Sequence, residues 1–269
     1  MATMQEALKS LSDRSIKHIV SVSGGKDSAA LALYIAKEYP EIPTEYVFCD
    51  TDCELPETED YINRLECVLG KEVKRVTVFD VLKVEKKLNR NAFDFTLNEI
   101  YGGFLPSPRS RWCTRYLKIR PFEHHVGDAT AFSYIGIRGD EDREGYKGKK
   151  KPALSNKANI IPVYPFKDDS IGLAEVKQIL EDSGLGWPEY YNWRSRSGCY
   201  FCFYQQIGEW QGLKEYHPDL FDKAKGYETK DDGRQFTWVD GRTLDDIAGL
   251  PRHEVPSMEE VEGCAICHL

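Results

Sequence analysis

The chain has 269 residues, 41% apolar and 12% aromatic, with 36 basic against 44 acidic side chains and a net charge of −8. That is too apolar for a disordered chain and too acidic overall for indiscriminate nucleic-acid binding. No run of about 18 apolar residues exists to cross a membrane, and Met1-Ala2-Thr3-Met4-Gln5-Glu6 lacks the basic start and apolar core of a secretory signal, so a cytoplasmic chain without membrane partners is expected.

In chain order, Ile16–Val22 is a β-rich apolar run ending in Ser23-Gly24-Gly25, and Asp27–Tyr39 then repeats apolar residues at helical spacing, with Pro40 beyond its end. Tyr46–Cys49 predicts a second strand. Glu57–Leu69 predicts a helix with Tyr61, Ile62, Leu65 and Val68 on one face. Val73–Phe79 and Phe132–Ile137 predict third and fourth strands, the latter ending at Arg138-Gly139. Strands alternating with helices predict an α/β fold, an open parallel sheet with helices on both faces. Its site then lies at the carboxyl edge of the strands, where Ser23, Asp50, Asp80 and Arg138 fall. Beyond residue 160 the pattern changes. Pro162, Pro165 and Pro188 punctuate one helix over Ile171–Ser183, and a cysteine- and aromatic-rich stretch follows. The expected division is a first domain at 1–160 and a cysteine-containing C-terminal extension at 161–269.

The strongest local signal is Ser23-Gly24-Gly25-Lys26-Asp27-Ser28, between a strand and a helix. Glycines let the backbone approach an anion, and a helix start points N–H groups at it. Ser23 and Ser28 add hydroxyls and Lys26 adds charge. The spacing is not that of the GxxxxGK[ST] loop. This string resembles the PP-loop signature of the ATP pyrophosphatases, the adenine nucleotide α-hydrolase-like proteins. That resemblance implies ATP held by Ser23, Gly24, Gly25, Lys26, Asp27 and Ser28 and cleaved between its α and β phosphates, with Mg2+ near Asp27. It also implies that Cys49, Asp50 and Thr51 lie near the adenosine; Asp50 is read either as a ribose ligand or as a helix cap.

Charge is uneven along the chain. Residues 109–157 hold 12 basic against 6 acidic side chains, whereas the flanks are acidic. A solvated loop accounts for Lys147, Lys149, Lys150 and Lys151, while arginines interleaved with aromatics fit a polyanion site better. Trp187, Tyr190, Tyr191 and Trp193 are read either as base-stacking residues or as a packed junction.

Four later segments narrow the family: Arg111-Trp112-Cys113-Thr114-Arg115-Tyr116-Leu117-Lys118-Ile119-Arg120-Pro121, Gly136-Ile137-Arg138-Gly139-Asp140-Glu141-Asp142-Arg143, Ile161–Phe166 and Gly198-Cys199-Tyr200-Phe201-Cys202. With the loop they resemble, in order, the segments of phosphoadenosine phosphosulfate reductase-like proteins, with Asp142 where serine is usual. The wording around Cys113 is closest to the DNA phosphorothioation proteins of the Dnd and Ssp systems, because Trp112 stands where cluster-bearing reductases have a second cysteine. The resemblance implies adenylation of an acceptor oxygen, with Arg138 and Arg143 beside a phosphate or the acceptor, followed by sulfur insertion. A cysteine desulfurase as sulfur donor and DNA or a DNA-modification complex as partner go with it; a homodimer is left open.

In a reducing compartment close cysteine pairs point to metal or redox chemistry. Cys113, Cys199 and Cys202 are the expected ligands of a 4Fe-4S cluster, with Cys264 or Cys267 as the fourth; Zn2+ is the alternative. Cys264-Ala265-Ile266-Cys267-His268 has haem-attachment spacing but no export signal to go with it. Cys49 and Cys53 are read as near the nucleotide, Cys67 as core, and His124 and His125 as surface residues. Reduction of a sulfonucleotide, tRNA thiolation and a non-catalytic nucleotide-sensing scaffold are the rival functions.

Overall fold

Lys17–Val22, here β1, is buried at every position after the first, including His18 and Ser21. Such a strand belongs at the centre of a parallel sheet covered on both faces. In the computed structural model, which describes residues 2–85, 90–141, 155, 157–228, 230–231 and 234–255, β1 lies between β2 (Thr44–Cys49) and β4 (Ala131–Tyr134). β3 (Val73–Val76) and β5 (Ile160–Val163) close the edges, giving the all-parallel order β3-β2-β1-β4-β5. The expected α/β fold with an open parallel sheet is therefore what the chain adopts.

The helices follow in turn. α1 is Met4–Lys9, α2 Lys26–Glu38, α3 Pro56–Leu69, α4 Val78–Leu82 and α5 Ala92–Phe95. α6 (Trp112–Thr114) runs through a π-helical turn, Arg115–Ile119, into α7 (Arg120–Val126). α8 is Pro165–Asp168, α9 Leu173–Asp182, α10 Ile207–Tyr216, α11 Pro218–Gly226 and α12 Leu244–Ala248. A small ribbon, β6 (Lys230–Asp231) with β7 (Arg234–Gln235), precedes α12.

Side chains alternate across the sheet. Val20, Val22, Tyr46, Phe48, Phe132 and Tyr134 join one core with α2, α3 and α9. Ile19, Val47, Cys49 and Ala131 join another with Phe122 and Val126 of α7. A separate apolar cluster brings the 78–117 segment together with α10, α11 and α12 around Trp112, Phe201, Trp210 and Trp238.

The structure shifts several expected elements. The third strand ends at Val76, because Thr77 and Asp80 form a capping box that starts α4. Asp80, expected at the site edge, accepts the Thr77 N–H at 2.6 Å and the Thr77 hydroxyl at 3.0 Å. The fourth strand stops at Tyr134, although Ile135 and Ile137 remain buried. β5 holds Pro162, a residue tolerated in strands at an edge, and the Pro162 carbonyl accepts the Ala2 N–H at 3.0 Å. A division at residue 160 falls at the first residue of this fifth strand. On α3, Tyr61, Ile62 and Leu65 are buried as expected, but Val68 is 41% exposed and Cys67 is exposed, not core.

The strand order reverses beside β1: the chain moves from β1 outward to β2 and β3, then returns to β4. Such a switch point opens a crevice at the carboxyl ends of the two strands. The loop after β1 and the Ile135–Arg138 exit of β4 both lie there.

Candidate functional site

The loop after β1 is shaped by its own side chains. Ser28 Oγ accepts the Ser23 N–H at 3.0 Å and donates to the Gly25 carbonyl at 3.0 Å, closing the turn. Gly24 has φ +71°, and a Cβ there would stand 2.4 Å from Thr58 Cγ2. Gly25 precedes α2 without a side-chain cap, and the Lys26 N–H donates to the Tyr191 hydroxyl. A glycine cradle, an uncapped helix start and a buried lysine suit a phosphate group. The Thr58 hydroxyl beside the cradle is buried without a hydrogen-bond partner among the described residues, an unmet donor that an anion would satisfy.

Charges around the loop form one network. Lys26 and Asp27 are each 2% exposed, and Lys26 Nζ lies 3.2 Å from Asp27 Oδ2. Arg138, arriving from β4, places NH1 at 3.1 Å from Asp27 Oδ1 and 3.2 Å from Glu141 Oε1, and Nε at 2.9 Å from Asp140. Gly136 permits this approach; a Cβ there would meet the Asp27 carbonyl at 2.9 Å. Burial works against the ammonium of Lys26, yet Tyr191 and Asp27 outweigh it and hold its pKa above the ordinary value. Burial likewise opposes the Arg138 charge, and Asp27 and Glu141 reverse the effect. Both oxygens of Asp27 are thus engaged by cations, so the donor set fits Mg2+ chiefly as an ion carried on phosphate oxygens.

The second strand ends beside the thiols. Thr51 Oγ1 donates to Glu54 Oε1 at 2.7 Å and lies 3.3 Å from Cys199 Sγ. Asp50 accepts the Asp52 N–H at 2.7 Å, closing a turn, while α3 starts at Leu55 without a side-chain cap. Cys49, buried on β2, donates to the Lys118 carbonyl at 3.4 Å, and the Cys53 carbonyl accepts the Tyr200 N–H at 2.9 Å. Burial pushes the Cys49 thiol up to about 12 and the Cys53 thiol up as well. Glu54 is pushed up to about 7 by burial and then by Asp50.

Cys113, Cys199 and Cys202 line one pocket with Thr51, Arg111 and Lys118. Burial raises Cys113 to about 11 and Cys199 to about 12, so both are thiols until a metal displaces their protons. The buried Arg194 holds this turn by donating to the Gly198 and Cys199 carbonyls at 3.0 and 2.8 Å. Among the described residues, the group of three His, Cys, Asp or Glu ligand atoms lying within 4.8 Å of one another is Asp50, Glu54 and Glu59. The three sulfurs form no such group, whereas thiolates about 2.3 Å from one tetrahedral zinc would stand roughly 3.8 Å apart. Three thiols in one pocket at wider spacing suit a multi-iron group better than a single ion.

Arg111 and Lys118 line this pocket, and Arg109, Arg115 and Arg120 flank them in sequence. Arg109, Arg111, Arg115 and Arg120 make no ion pair with a carboxylate among the described residues, whereas Arg75, Arg138 and Arg252 do. The Arg111 and Arg196 guanidiniums lie 5.7 and 5.4 Å from the Tyr204 ring centre, and Arg120 lies 3.9 Å from that of Tyr116. Stacking on an aromatic face leaves the N–H edge of a guanidinium such as Arg120 directed away from the ring, while Arg196 donates to Cys202 Sγ at 3.9 Å.

Of the residues singled out in the sequence, Ser23, Gly24, Gly25, Lys26, Asp27, Ser28 and Arg138 meet at one site, and Thr51 lines the pocket of Cys113, Cys199 and Cys202. Arg143, Cys264 and Cys267 lie outside the described residues, as do Lys147, Lys149, Lys150 and Lys151. His125 is not a surface residue; its buried ring lies 2.9 Å from Glu45 Oε2. Tyr190 is fully buried and donates to the Gly24 carbonyl at 2.7 Å, so this aromatic stretch packs on the loop. Sequence reasoning gave Glu141 and Arg194 no role. Glu141 had a signal, its place three residues after an arginine that is followed by glycine; Arg194 had none.

Comparison with known proteins follows this geometry. A family model described as the phosphoadenosine phosphosulfate reductase domain matches residues 17–208. Two uncharacterized proteins of Methanocaldococcus jannaschii are 25% and 22% identical over 208 and 211 residues, 76% of this chain in each case. The alignments cover 45% and 40% of those proteins, so the chain spans less than half the length of these relatives. Among solved structures, phosphoadenylyl-sulfate reductase from Candida auris in a phosphate complex aligns with TM-score 0.48 at 13% identity, over 71% of this chain and 84% of that one. The U34-tRNA thiolase NcsA from Methanococcus maripaludis, solved with its 4Fe-4S cluster, gives 0.39 at 17% identity, over 83% and 77%.

Proposed function

Because the chain belongs to the phosphoadenosine phosphosulfate reductase domain family, we propose that it is an ATP pyrophosphatase that adenylates an acceptor oxygen for replacement by sulfur, the acceptor being a DNA backbone phosphate. One observation carries the reading. The glycine loop lies against the turn that carries the thiols, since a Cβ on Gly25 would stand 2.7 Å from Ser197 Oγ, two residues before Cys199. A site that only bound ATP has no need of thiols.

The acceptor oxygen attacks the α-phosphorus, the bond to the bridging oxygen breaks, and pyrophosphate leaves with that electron pair. The α2 N–H groups and Lys26 offset the charge growing on the leaving group. Arg138 and Lys26 fix the Asp27 carboxylate at the mouth of the crevice, where it faces any Mg2+ carried by the phosphates. A hydrosulfide-level nucleophile then attacks the adenylated acceptor and AMP departs with the oxygen. A 4Fe-4S cluster held by Cys113, Cys199 and Cys202, completed by a fourth ligand such as Cys264 or Cys267, would supply an iron position for sulfur. A cysteine desulfurase would be the source of that sulfur.

The arginines at 109–120, of which Arg111 lines the thiol pocket, favour a polyanionic acceptor over a small one because no carboxylate among the described residues neutralises them. The second reading, reduction of a sulfonucleotide, is favoured by the family itself. Supplying the anaerobically purified chain with ATP, sulfide and DNA, and in parallel with adenylylated sulfate and a dithiol reductant, separates the two: release of pyrophosphate and AMP in the first supports adenylation, while sulfite in the second with no pyrophosphate in the first supports reduction. A tRNA acceptor in place of DNA would move the reading to thiolation, and ATP binding without turnover would leave a nucleotide-sensing scaffold.

A further inference from the structure

Between Tyr101 and Trp112 the chain leaves the surface and returns to almost the same place. The two bounding rings stack at 4.6 Å and 14°, and Trp112 Nε1 donates to the Phe104 carbonyl at 2.9 Å. Phe93 packs on Trp112 at 5.3 Å, and Leu105 and Pro106 are buried at the foot of the loop. Residues 102–111 are thus a compact surface loop with joined ends, a kind that often carries function.

Within it a tighter turn presents one side chain. Ser107 and Ser110 exchange both backbone hydrogen bonds, at 3.1 and 3.0 Å, and Ser107 Oγ accepts the Ser110 N–H at 3.2 Å. Pro108 and Arg109 alone lie between them, both exposed, and the proline ring stiffens the tip. Arg109 differs from the arginines that follow it. The Arg111 guanidinium lies 5.7 Å from the Tyr204 ring centre and that of Arg120 3.9 Å from Tyr116. The Arg109 side chain makes no hydrogen bond, ion pair or ring contact among the described residues, so its five N–H donors are unspent.

A phosphate contact needs only a charge near the DNA backbone. A base contact needs a donor held forward of it, because the major-groove floor lies about 8.5 Å deep. A stiff tip carrying an unspent guanidinium fork suits the second task, and that fork matches the two acceptors of a guanine edge. The turn also leads straight to the chemistry: Arg111 and Cys113, two and four residues beyond Arg109, line the thiol pocket. Four residues span at most about 14 Å, roughly four base-pair steps.

We propose that Arg109 reads a base edge in a groove of the acceptor DNA, while Arg115 and Lys118 contact its backbone. This rests on reading the acceptor as DNA, and it names the residue that sets the sequence context. With the reach of the side chain added, the base read lies within about six base pairs of the phosphate presented to the thiols.

The test is binding of the full chain to duplexes randomised over a central stretch, followed by titration of selected and average sequences across a salt series. Arg109→Lys keeps the charge and loses the two-pronged contact. The unaltered chain should prefer particular sequences by about fivefold to hundredfold, the worth of one bidentate base contact. In Arg109→Lys that preference should flatten while the salt slope stays the same. Charge reversal at Arg115 and Lys118 should instead weaken all sequences alike. A preference that survives in Arg109→Lys would overturn the proposal, as would an unaltered chain that binds every duplex equally. An unaltered chain that binds no duplex would reject the DNA reading itself, a failure seen before any substitution is made.

Discussion

The loop after β1 and the helical segment at 109–120 are both rich in cations, and they treat charge in opposite ways. At the loop, Lys26, Asp27, Arg138 and Glu141 are at most 5% exposed and bonded to one another. At 109–120, Arg109, Arg111, Arg115 and Arg120 have aromatic or no partners and no carboxylate among the described residues. Buried charges must be paired to exist at all, and pairing fixes their positions to a fraction of an ångström. Cations at a surface need no partner, and leaving them unpaired keeps the field available to a polyanion. The first region is thus built for one compact ligand, the second for an extended one.

The comparison breaks most visibly at Lys26. Lys26→Ala leaves Asp27 paired with Arg138, so the fold should survive while pyrophosphate release falls by about 100-fold or more; an unchanged rate would take the loop out of the reaction. Arg138→Met should cost about 3–5 kcal/mol of stability in urea denaturation, because it removes the buried cation that Asp27 and Glu141 share. Arg115→Met, in the exposed region, should stay within about 0.5 kcal/mol of the parent. Equal losses would erase the distinction between the two regions. Charge reversal at Arg115 and Lys118 should weaken DNA binding about tenfold to hundredfold and lower the slope of log affinity against log salt by about 1 per lost phosphate contact. An unchanged slope, measured by anisotropy across a salt series, would move the acceptor elsewhere.

The smallest expected effect lies where the regions meet, at Glu54. Its carboxyl is pushed up to about 7 from an ordinary value of 4.5, by burial first and Asp50 second. Between those values the native chain holds a proton that the unfolded chain has released, so stability falls as pH rises through that window. The loss should amount to roughly 1–3 kcal/mol. In Glu54→Gln that slope should vanish from the pH series of unfolding free energies; a slope that persists would assign it to another group.

Much of the sheet was legible because β1 and β2 are short apolar runs bounded by turn residues, and α2 and most of α3 keep helical periodicity. β5 was not, since Pro162 argues against a strand unless its edge position is known. The overlong third strand has a similar cause: Val78 and Phe79 carry β propensity, but the Thr77–Asp80 cap outweighs it. The loop was readable because its glycines, lysine and serines are consecutive. The partners that position it were not. Arg138 pairs with Asp27 across 111 residues of sequence and Tyr190 reaches Gly24 across 166. No local pattern records such a meeting. The thiols were legible as spaced cysteines; that Thr51 lines their pocket and Ser197 packs on Gly25 is visible only in three dimensions.

The most direct measurement is the identity of the products from ATP labelled at its α-phosphate, incubated with the anaerobically purified chain, sulfide and DNA. The account predicts labelled AMP and pyrophosphate in equal amounts, with sulfur entering the DNA. Labelled ADP with orthophosphate, or ATP left intact, would contradict it.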